Sequence, residues 1–232
     1  MGKNKQTWKI IAFLAATFFL SDTTAFAQNF LHRIGIEGRT GYIFPTHPFL
    51  KGDNFYMKEM KNTYTGHLKY SFQLNPHTAA SQAYIGAYQG IGLGYFDFGN
   101  RPEIGTPIAL YLFQGGSLAK FSSRLSLNYE WNFGVSFGWK SYDSTENPNN
   151  KIMGSKTNAY LNANLYLNWV LSPKFDFMIG AAGNHFSNGN TRYPNSGLNT
   201  VDCKVGLTYH FNRTTDDLSK SWQRPIIPVF PR

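Results

Sequence analysis

Cysteine, charge and long apolar runs are all scarce in this chain. Cys203 is the one cysteine in 232 residues, so an internal disulfide is excluded. Charged residues make up 15% of the sequence, below the ~25% of an average soluble domain. After residue 27, no apolar run reaches the ~18 residues that a membrane-spanning helix needs. These absences exclude a small domain stapled by disulfides and a membrane protein built from helices.

The first 27 residues differ in character from the rest. Lys3, Lys5 and Lys9 precede the apolar run 10–20, and Ala-Phe-Ala at 25–27 has the small-x-small pattern of a cleavage site. This order predicts a secretory signal peptide over residues 1–27. An uncleaved membrane anchor is the less favoured alternative, because the apolar run is too short to span a bilayer.

Aromatic residues and glycine are plentiful, and the apolar residues alternate with polar ones. Aromatics make up 17% of the chain, with 22 glycines, although the mean hydropathy is only −0.35. From 125 to 139 every odd position is apolar and bulky, while the even positions are polar or glycine. A period of two sustained over this length predicts a β-strand and excludes a helix.

Similar alternation recurs along the chain and predicts about eight strands. They fall near 31–44, 63–74, 83–98, 106–114, 121–140, 156–171, 174–187 and 198–211. No helical stretch separates them, so we predict an antiparallel sheet. An even number of long strands with one apolar face is typical of an antiparallel transmembrane β-barrel. The alternative is a soluble β-sandwich or a lipocalin-like barrel, whose interior has little room for so many bulky apolar side chains.

The polar phase of these strands predicts the inside of the barrel. It carries nine charged residues: Arg33, Glu37, Arg39, Lys69, Arg124, Glu130, Asp176, Asp202 and Lys204. A barrel of about eight strands is filled by its own side chains. We therefore expect a paired ionic interior and no open channel.

Connection lengths predict the orientation and the limits of the barrel. The connections after the first and fifth strands are long, whereas Ser172-Pro173 is a tight turn after the sixth. With the N-terminus in the periplasm, the long connections and residues 188–197 lie outside the cell. We assign residues 28–211 to the outer-membrane barrel and 212–232 to a Pro-rich C-terminal periplasmic extension.

The net charge and the motifs of the sequence indicate which binding partners and cofactors to expect. The formal charge is +9, and removing the signal peptide leaves 19 − 12 = +7, which favours phosphate-bearing partners. Nucleic acid is unsuited to an exported protein, whereas an anionic lipid headgroup is well suited. The glycines at 90, 92 and 94 precede no helix, so we interpret them as leaving one strand face bare for a bulky neighbour. No metal-ligand spacing is present, and no cofactor is expected.

One polar pair lies on the apolar side of a predicted strand. The odd positions of the seventh strand read Phe175, Phe177, Ile179, Ala181, Gly183, His185 and Ser187. Alternate residues of a strand are about 6.5–7 Å apart, so an imidazole nitrogen can reach a serine hydroxyl. In the eighth strand Asn199 shares the outward phase with Val201, whereas Asp202 points inward. A His-Ser pair facing the bilayer near its rim has its natural substrate in the membrane.

The segment HFSNGNTRYPNSGLN, residues 185–199, resembles the active site of the lipid A 3-O-deacylases, the PagL family of outer-membrane acyl hydrolases. The resemblance is specific over about fifteen residues, with His-x-Ser-Asn followed by Pro-Asn-x-Gly. It implies that Ser187 is the nucleophile and His185 the base. It further implies that Asn188 and the backbone N–H groups of Gly189 and Asn190 are the oxyanion donors.

The segment departs from the family pattern at one position. The family's glutamate would fall at Asn199, where an amide can accept a hydrogen bond from the histidine but carries no charge. We therefore predict a Ser187–His185–Asn199 triad. Asp202 would be the substitute acid, but its phase directs it inward.

Together these features predict a serine esterase of the bacterial outer membrane that removes an ester-linked acyl chain from lipid A. Its partner would be lipopolysaccharide in the outer leaflet. The sequence does not distinguish this function from that of a phospholipase-like barrel. The alternative of another class is a non-catalytic structural or adhesive barrel, and a homodimer is left open.

Overall fold

Eight antiparallel strands close into a barrel in the computed structural model, which describes residues 30–78, 81 and 86–222. They are β1 (Phe30–Ile43), β2 (Asn62–Leu74), β3 (Tyr88–Asp97), β4 (Gly105–Lys120), β5 (Leu125–Trp139), β6 (Thr157–Val170), β7 (Phe175–Ser187) and β8 (Leu198–His210). Each strand is bonded to its neighbours in chain order, and β1 pairs with β8 to close the sheet. The predicted fold class is therefore confirmed. The signal peptide expected over residues 1–27 lies outside the described residues.

Alternation of side chains gives the barrel its two faces. In β5, Trp131, Phe133 and Val135 are exposed on the outside, while Glu130 and Asn132 are buried inside. The same holds around the sheet, so leucine, isoleucine, valine and aromatic side chains form the outer surface. Such a surface is stable only in contact with another apolar phase.

The strand limits differ from the prediction mainly at β3, β4 and β5. β3 begins at Tyr88, and β4 continues through Gly115 and Gly116 to Lys120. The chain then turns at 121–124, where the Ser122 hydroxyl accepts hydrogen bonds from the N–H groups of Arg124 and Leu125. The placement of Arg124 inside the barrel was wrong, since it lies exposed in this turn.

The two ends of the barrel are unlike each other. The loop end carries the connections 44–61, 98–104, 140–156 and 188–197. The terminus end carries the start of β1, the end of β8 and the connections 75–87, 121–124 and 171–174. The start of β1 and the end of β8 thus lie at the opposite end of the barrel from the connections of the loop end.

Glu37 is the centre of an ionic network inside the barrel. Its carboxylate accepts hydrogen bonds from Arg39 at 2.7 Å, Lys69 at 2.8 Å and Lys204 at 3.2 Å. Lys69 also donates to both carboxylate oxygens of Glu130. Because buried charges are tolerated only when they are paired, this network explains why a membrane barrel keeps so many charged residues.

Glycines of β3 make room for this interior. A Cβ on Gly92 would lie 2.3 Å from the ring of Tyr111 on the neighbouring strand β4. The aromatic side chain therefore occupies the volume that any larger residue at 92 would need. This agrees with the interpretation of the alternate glycines as a bare strand face.

An apolar cap fills the barrel at the loop end. Its members are buried residues of the strand ends and of the loops: Ile43, Phe49, Leu50, Met60, Phe96, Phe98, Ile104, Trp139, Ile152, Met153, Tyr160, Phe186 and Leu198. The sequence placed Trp139 on the outer face, which is wrong. Gly138 has φ +87 and breaks the alternation, so Trp139 turns inward and stacks on Phe98 at 5.6 Å.

The chain continues past β8 into a short helix. α1 spans Thr215–Trp222, and Thr214 caps it by accepting the Asp217 N–H while Asp217 accepts the Thr214 N–H. Arg213 ties this segment to the barrel through Asp176 at 2.6 Å and the Ser172 carbonyl at 2.9 Å. Among the helices described, none is long and apolar enough to cross a membrane.

Candidate active site

His185 and Asn199 face each other across β7 and β8. They are a registered pair, and His185 Nδ1 lies 2.7 Å from Asn199 Oδ1. An amide oxygen carries no hydrogen, so Nδ1 must be the donor in this bond. The proton on Nδ1 leaves the other ring nitrogen, Nε2, with its lone pair free to accept a proton.

Ser187 lies two residues further along β7, on the same outer face and at the last position of the strand. Gly197 shows how close the two side chains are. A Cβ placed on Gly197 would lie 3.3 Å from His185 Cε1 and 3.9 Å from Ser187 Cβ. The imidazole and the serine side chain therefore border the same small space.

The neighbouring strands supply the walls of the site. On β6, Ala159 is paired with Ser187 and Leu161 with His185. On the other side, the Phe44 N–H donates to the Asn199 carbonyl at 3.0 Å, which joins the end of β1 to the site. His185, Ser187 and Asn199 are half-buried among these neighbours on a face that is otherwise exposed and apolar.

The chain turns sharply directly after Ser187. Gly189 and Asn190 both have left-handed backbones, with φ +62 and +61, and the Asn188 carbonyl accepts a hydrogen bond from the Thr191 N–H. Two left-handed central residues define a type I′ turn, for which glycine and asparagine are the residues of choice. In the described part of the chain, the N–H groups of Gly189 and Asn190 donate to no acceptor.

Asn188 and Asn195 hold this turn in shape. The Asn188 N–H donates to Asn195 Oδ1 at 2.9 Å, and its side-chain amide donates to the Arg192 carbonyl at 2.6 Å. Asn195 also donates to Asn190 Oδ1 at 3.1 Å. Asn188, predicted as an oxyanion donor, thus uses its backbone N–H within the loop. The positioning roles of Asn195 and Gly197 were missed, although both lie in the Pro-Asn-x-Gly part of the quoted segment.

Loop 140–156 supports loop 188–197. Gly197 donates to the Ile152 carbonyl, and the Ser196 hydroxyl donates to the Lys151 carbonyl. The N–H groups of Glu146 and Thr145 donate to Asp143 Oδ1 and lower the pKa of that carboxyl, and the Arg192 guanidinium adds to the shift. Loop 140–156 therefore packs beside the site and places charges next to it.

Asp202 lies away from the site, inside the barrel. Its side chain is buried, and Oδ2 accepts a hydrogen bond from Asn184 at 2.7 Å. Asn199 and Asp202 thus point to opposite faces of β8, as the alternation predicts. Within the described ranges, no group of three His, Cys, Asp or Glu side chains is placed to hold a metal ion.

Comparison with known proteins gives the family. The model of the family described as lipid A 3-O-deacylase (PagL) matches residues 64–208, which include the site. No curated protein matches the chain in sequence. The crystal structure of the outer membrane enzyme PagL superposes with a TM-score of 0.51 at 12% identity, covering 74% of this chain and 97% of that one.

Other solved outer-membrane barrels are similar at lower scores. Neisserial surface protein A gives a TM-score of 0.45 at 8% identity, over 78% of this chain and 96% of that chain. The N-terminal β-barrel domain of Pseudomonas aeruginosa OprF gives 0.42 at 9% identity, over 77% and 97%. The match of the family model over more than half of the sequence carries the assignment: this chain is a bacterial outer-membrane protein that belongs to the lipid A 3-O-deacylase (PagL) family.

Proposed function

We propose that this chain is a serine esterase that removes an ester-linked acyl chain from lipid A in the outer leaflet. The observation that carries the proposal is the 2.7 Å bond from His185 Nδ1 to Asn199 Oδ1, with Ser187 on the same outer face. That bond leaves Nε2 as the base on the side of the imidazole that can face the serine. The site also lies on the outer surface of the sheet, where a lipid substrate arrives laterally.

Acyl transfer would proceed in two steps. Nε2 of His185 accepts the proton of Ser187 as the hydroxyl oxygen attacks the ester carbonyl. The tetrahedral intermediate collapses to an acyl-serine, and the sugar oxygen leaves with the proton from His185. A water molecule, deprotonated by the same nitrogen, then hydrolyses the acyl-serine and releases the fatty acid.

The oxyanion would be stabilised by the turn that follows the nucleophile. The N–H groups of Gly189 and Asn190 are the first candidates, because the loop itself does not use them. Asn188 would contribute the second hydrogen of its side-chain amide, since the first is bonded to the Arg192 carbonyl. A preorganised donor of this kind contributes about 2.7–4 kcal/mol to transition-state stabilisation.

Asn199 would replace an acid as the group that orients the base. Its oxygen fixes the proton on Nδ1, which is the tautomer that catalysis requires. It supplies a dipole instead of a full charge beside the imidazolium, so the rate is expected to be lower than with a carboxylate. The alternative, a barrel that has lost catalysis and serves structure or adhesion, predicts no hydrolysis.

The proposal is tested by mass spectrometry of lipid A from cells that express the chain, its Ser187→Ala variant or its Ser196→Ala variant. Ser196 is the matched control, because it is a serine of the loop that follows Ser187 and its hydroxyl donates to the Lys151 carbonyl. The wild type and Ser196→Ala should remove an acyl chain, and Ser187→Ala should lose at least about 10³-fold in rate.

The outcomes separate the candidate functions. Unchanged lipid A in wild-type cells, together with a folded barrel on gels, would leave the structural or adhesive function. Release of lysophospholipid with intact lipid A would make the chain a phospholipase. Full hydrolysis by Ser187→Ala would show that another residue is the nucleophile.

A further inference from the structure

A polar cavity occupies the terminus end of the barrel, on the opposite side of the sheet from the proposed active site. Its volume is about 120 Å³, several times the minimum that one water molecule needs. Arg33 and Asn128 line it, together with residues of the turn 122–124 and of α1. Arg33 and Tyr88 also line a smaller pocket with Glu37, Lys69 and Glu130, so the cavity adjoins the ionic network.

Among the described residues, Arg33 is a cation with no acid partner. Its Nε donates to the Ser71 hydroxyl at 2.8 Å, and its guanidinium carbon lies 3.8 Å from the centre of the Tyr88 ring. Within the described part of the chain, no carboxylate lies within ion-pair distance of it, and its two terminal nitrogens have no acceptor. Glu37, Glu130 and Asp176 each contact cations inside the barrel. Arg33, by contrast, forms no ion pair with a described carboxylate.

The carboxylates of Asp176 and Asp217, which line the cavity, already accept hydrogen bonds from other groups. Asp176 accepts hydrogen bonds from Arg213 at 2.6 and 3.0 Å and from His210 at 3.1 Å. Asp217 caps α1 through Thr214 and lies 3.2 Å from His77. Arg124 adds another positive charge at the mouth, so the cavity has an electrostatic preference for an anion.

Two residues that line the cavity each carry a buried acceptor with no hydrogen-bond partner among the described residues: Asn128 Oδ1 and His210 Nδ1. The His210 side chain is only 3% exposed, and its Nε2 bonds to the Asp176 carboxylate. Since a carboxylate requires a donor, Nε2 carries the proton and Nδ1 presents a lone pair. Both atoms have less than 1 Å² of exposed surface, so an occupant of the cavity does not contact them, and the Arg33 guanidinium is the group left to bind it.

We propose that this cavity binds a phosphate-class oxyanion, held by the Arg33 guanidinium. Hydrogen phosphate has this chemistry, and so does the glycerol phosphate headgroup of a phospholipid. A guanidinium binds phosphate oxygens in a forked, charge-assisted geometry. The site is independent of the proposed esterase activity.

The test is calorimetric titration of the folded protein in maltoside micelles. The probes are inorganic phosphate, sn-glycerol 3-phosphate and sodium chloride at matched ionic strength. Both phosphates should bind the wild type and chloride should not, and the tighter of the two phosphates identifies the natural source. Arg33→Gln should weaken binding about tenfold or more, and Arg33→Lys should weaken it less.

Arg101→Gln is the matched control, because Arg101 lies at the loop end, where it pairs with Asp97. It should bind both phosphates as the wild type does. If Arg33→Gln does not fold, Asn128→Asp places a negative charge in the cavity and should abolish binding. Equal heats with chloride and phosphate, or unchanged binding by the Arg33 or Asn128 variants, would overturn the proposal.

Discussion

At the residue scale, Asn199 links the histidine to the second strand of the site. Its backbone is held by pairing with β7 and by the N–H of Phe44, the first residue of the connection 44–61, which donates to its carbonyl. The amide oxygen selects the useful tautomer at no cost in buried charge. What it lacks is the charge that would stabilise the imidazolium when it forms.

Three variants are expected to separate the two candidate partners of His185. Asn199→Ala should lower the turnover number about 10- to 100-fold and largely spare KM, because a hydrogen bond to a charged ring is lost. Asn199→Glu should keep or raise the rate, since it restores a charge on the same face. Asp202→Asn should leave the rate unchanged, because its side chain lies inside the barrel. Steady-state kinetics on folded barrels gives these values, and the opposite pattern would make Asp202 the orienting residue.

Gly197→Ala should impair His185 by steric contact alone. A Cβ there would meet the Phe186 carbonyl at 3.0 Å and His185 Cε1 at 3.3 Å, in a backbone with φ +70. We expect the rate to fall at least about tenfold as the ring is displaced, with about 1–2 kcal/mol of strain. Gly99→Ala is the control, since Gly99 has φ +76 and open space around it. It should lose similar stability and no activity in paired melting and rate measurements.

At the element scale, the loops of the loop end behave as one packed unit. Glu103 joins three of them. Its carboxylate accepts from the Phe55 N–H at 2.9 Å, from Asn100 at 2.6 Å and from Asn149 at 3.3 Å. Its carbonyl accepts from Asn147 and Asn150. The loop that supports the site therefore depends on contacts far from the triad.

Glu103→Gln should loosen this unit. A glutamine offers one acceptor oxygen, and its NH₂ would face N–H donors, so about 1–3 kcal/mol of loop stability is lost. Limited trypsin digestion of the folded barrel should then cut at Lys58 or Lys151 faster than in the wild type. Glu146→Gln, at an exposed position of loop 140–156, should digest as the wild type does. Equal digestion of both variants would mean that Glu103 does not hold the loops.

Period two made the strands and the faces of the candidate site residues predictable, because alternation directly encodes which face a residue occupies. His185, Ser187, Asn199 and Asp202 all lie on the faces that their positions indicate. Trp139 was misplaced because one left-handed glycine reverses the phase, and the sequence does not reveal the φ of Gly138. The apolar cap escaped prediction because its members come from loops that meet only in three dimensions.

At the scale of the whole molecule, the barrel has three layers from end to end: apolar cap, ionic network and polar cavity. The proposed esterase site lies outside the first layer and faces the lipid. For lipid A to reach it, the loop end must face the cell exterior.

Orientation is tested with single cysteines in a Cys203→Ser background. Asn149→Cys in loop 140–156 should be labelled on intact cells by a reagent that does not cross the outer membrane. Ser123→Cys, in the turn between β4 and β5, should be labelled only after the membrane is opened. The reverse pattern would place the site in the periplasmic leaflet and separate it from lipid A.

The apolar cap has a consequence for the cell. Phe98, Trp139, Tyr160 and Phe186 stack in the mouth of the barrel and are almost completely buried, and the Glu37 network fills the section below them. We therefore expect the described part of the barrel to give water and small solutes no passage. A bacterium that raises the copy number of this protein should keep the permeability of its outer membrane to small solutes unchanged.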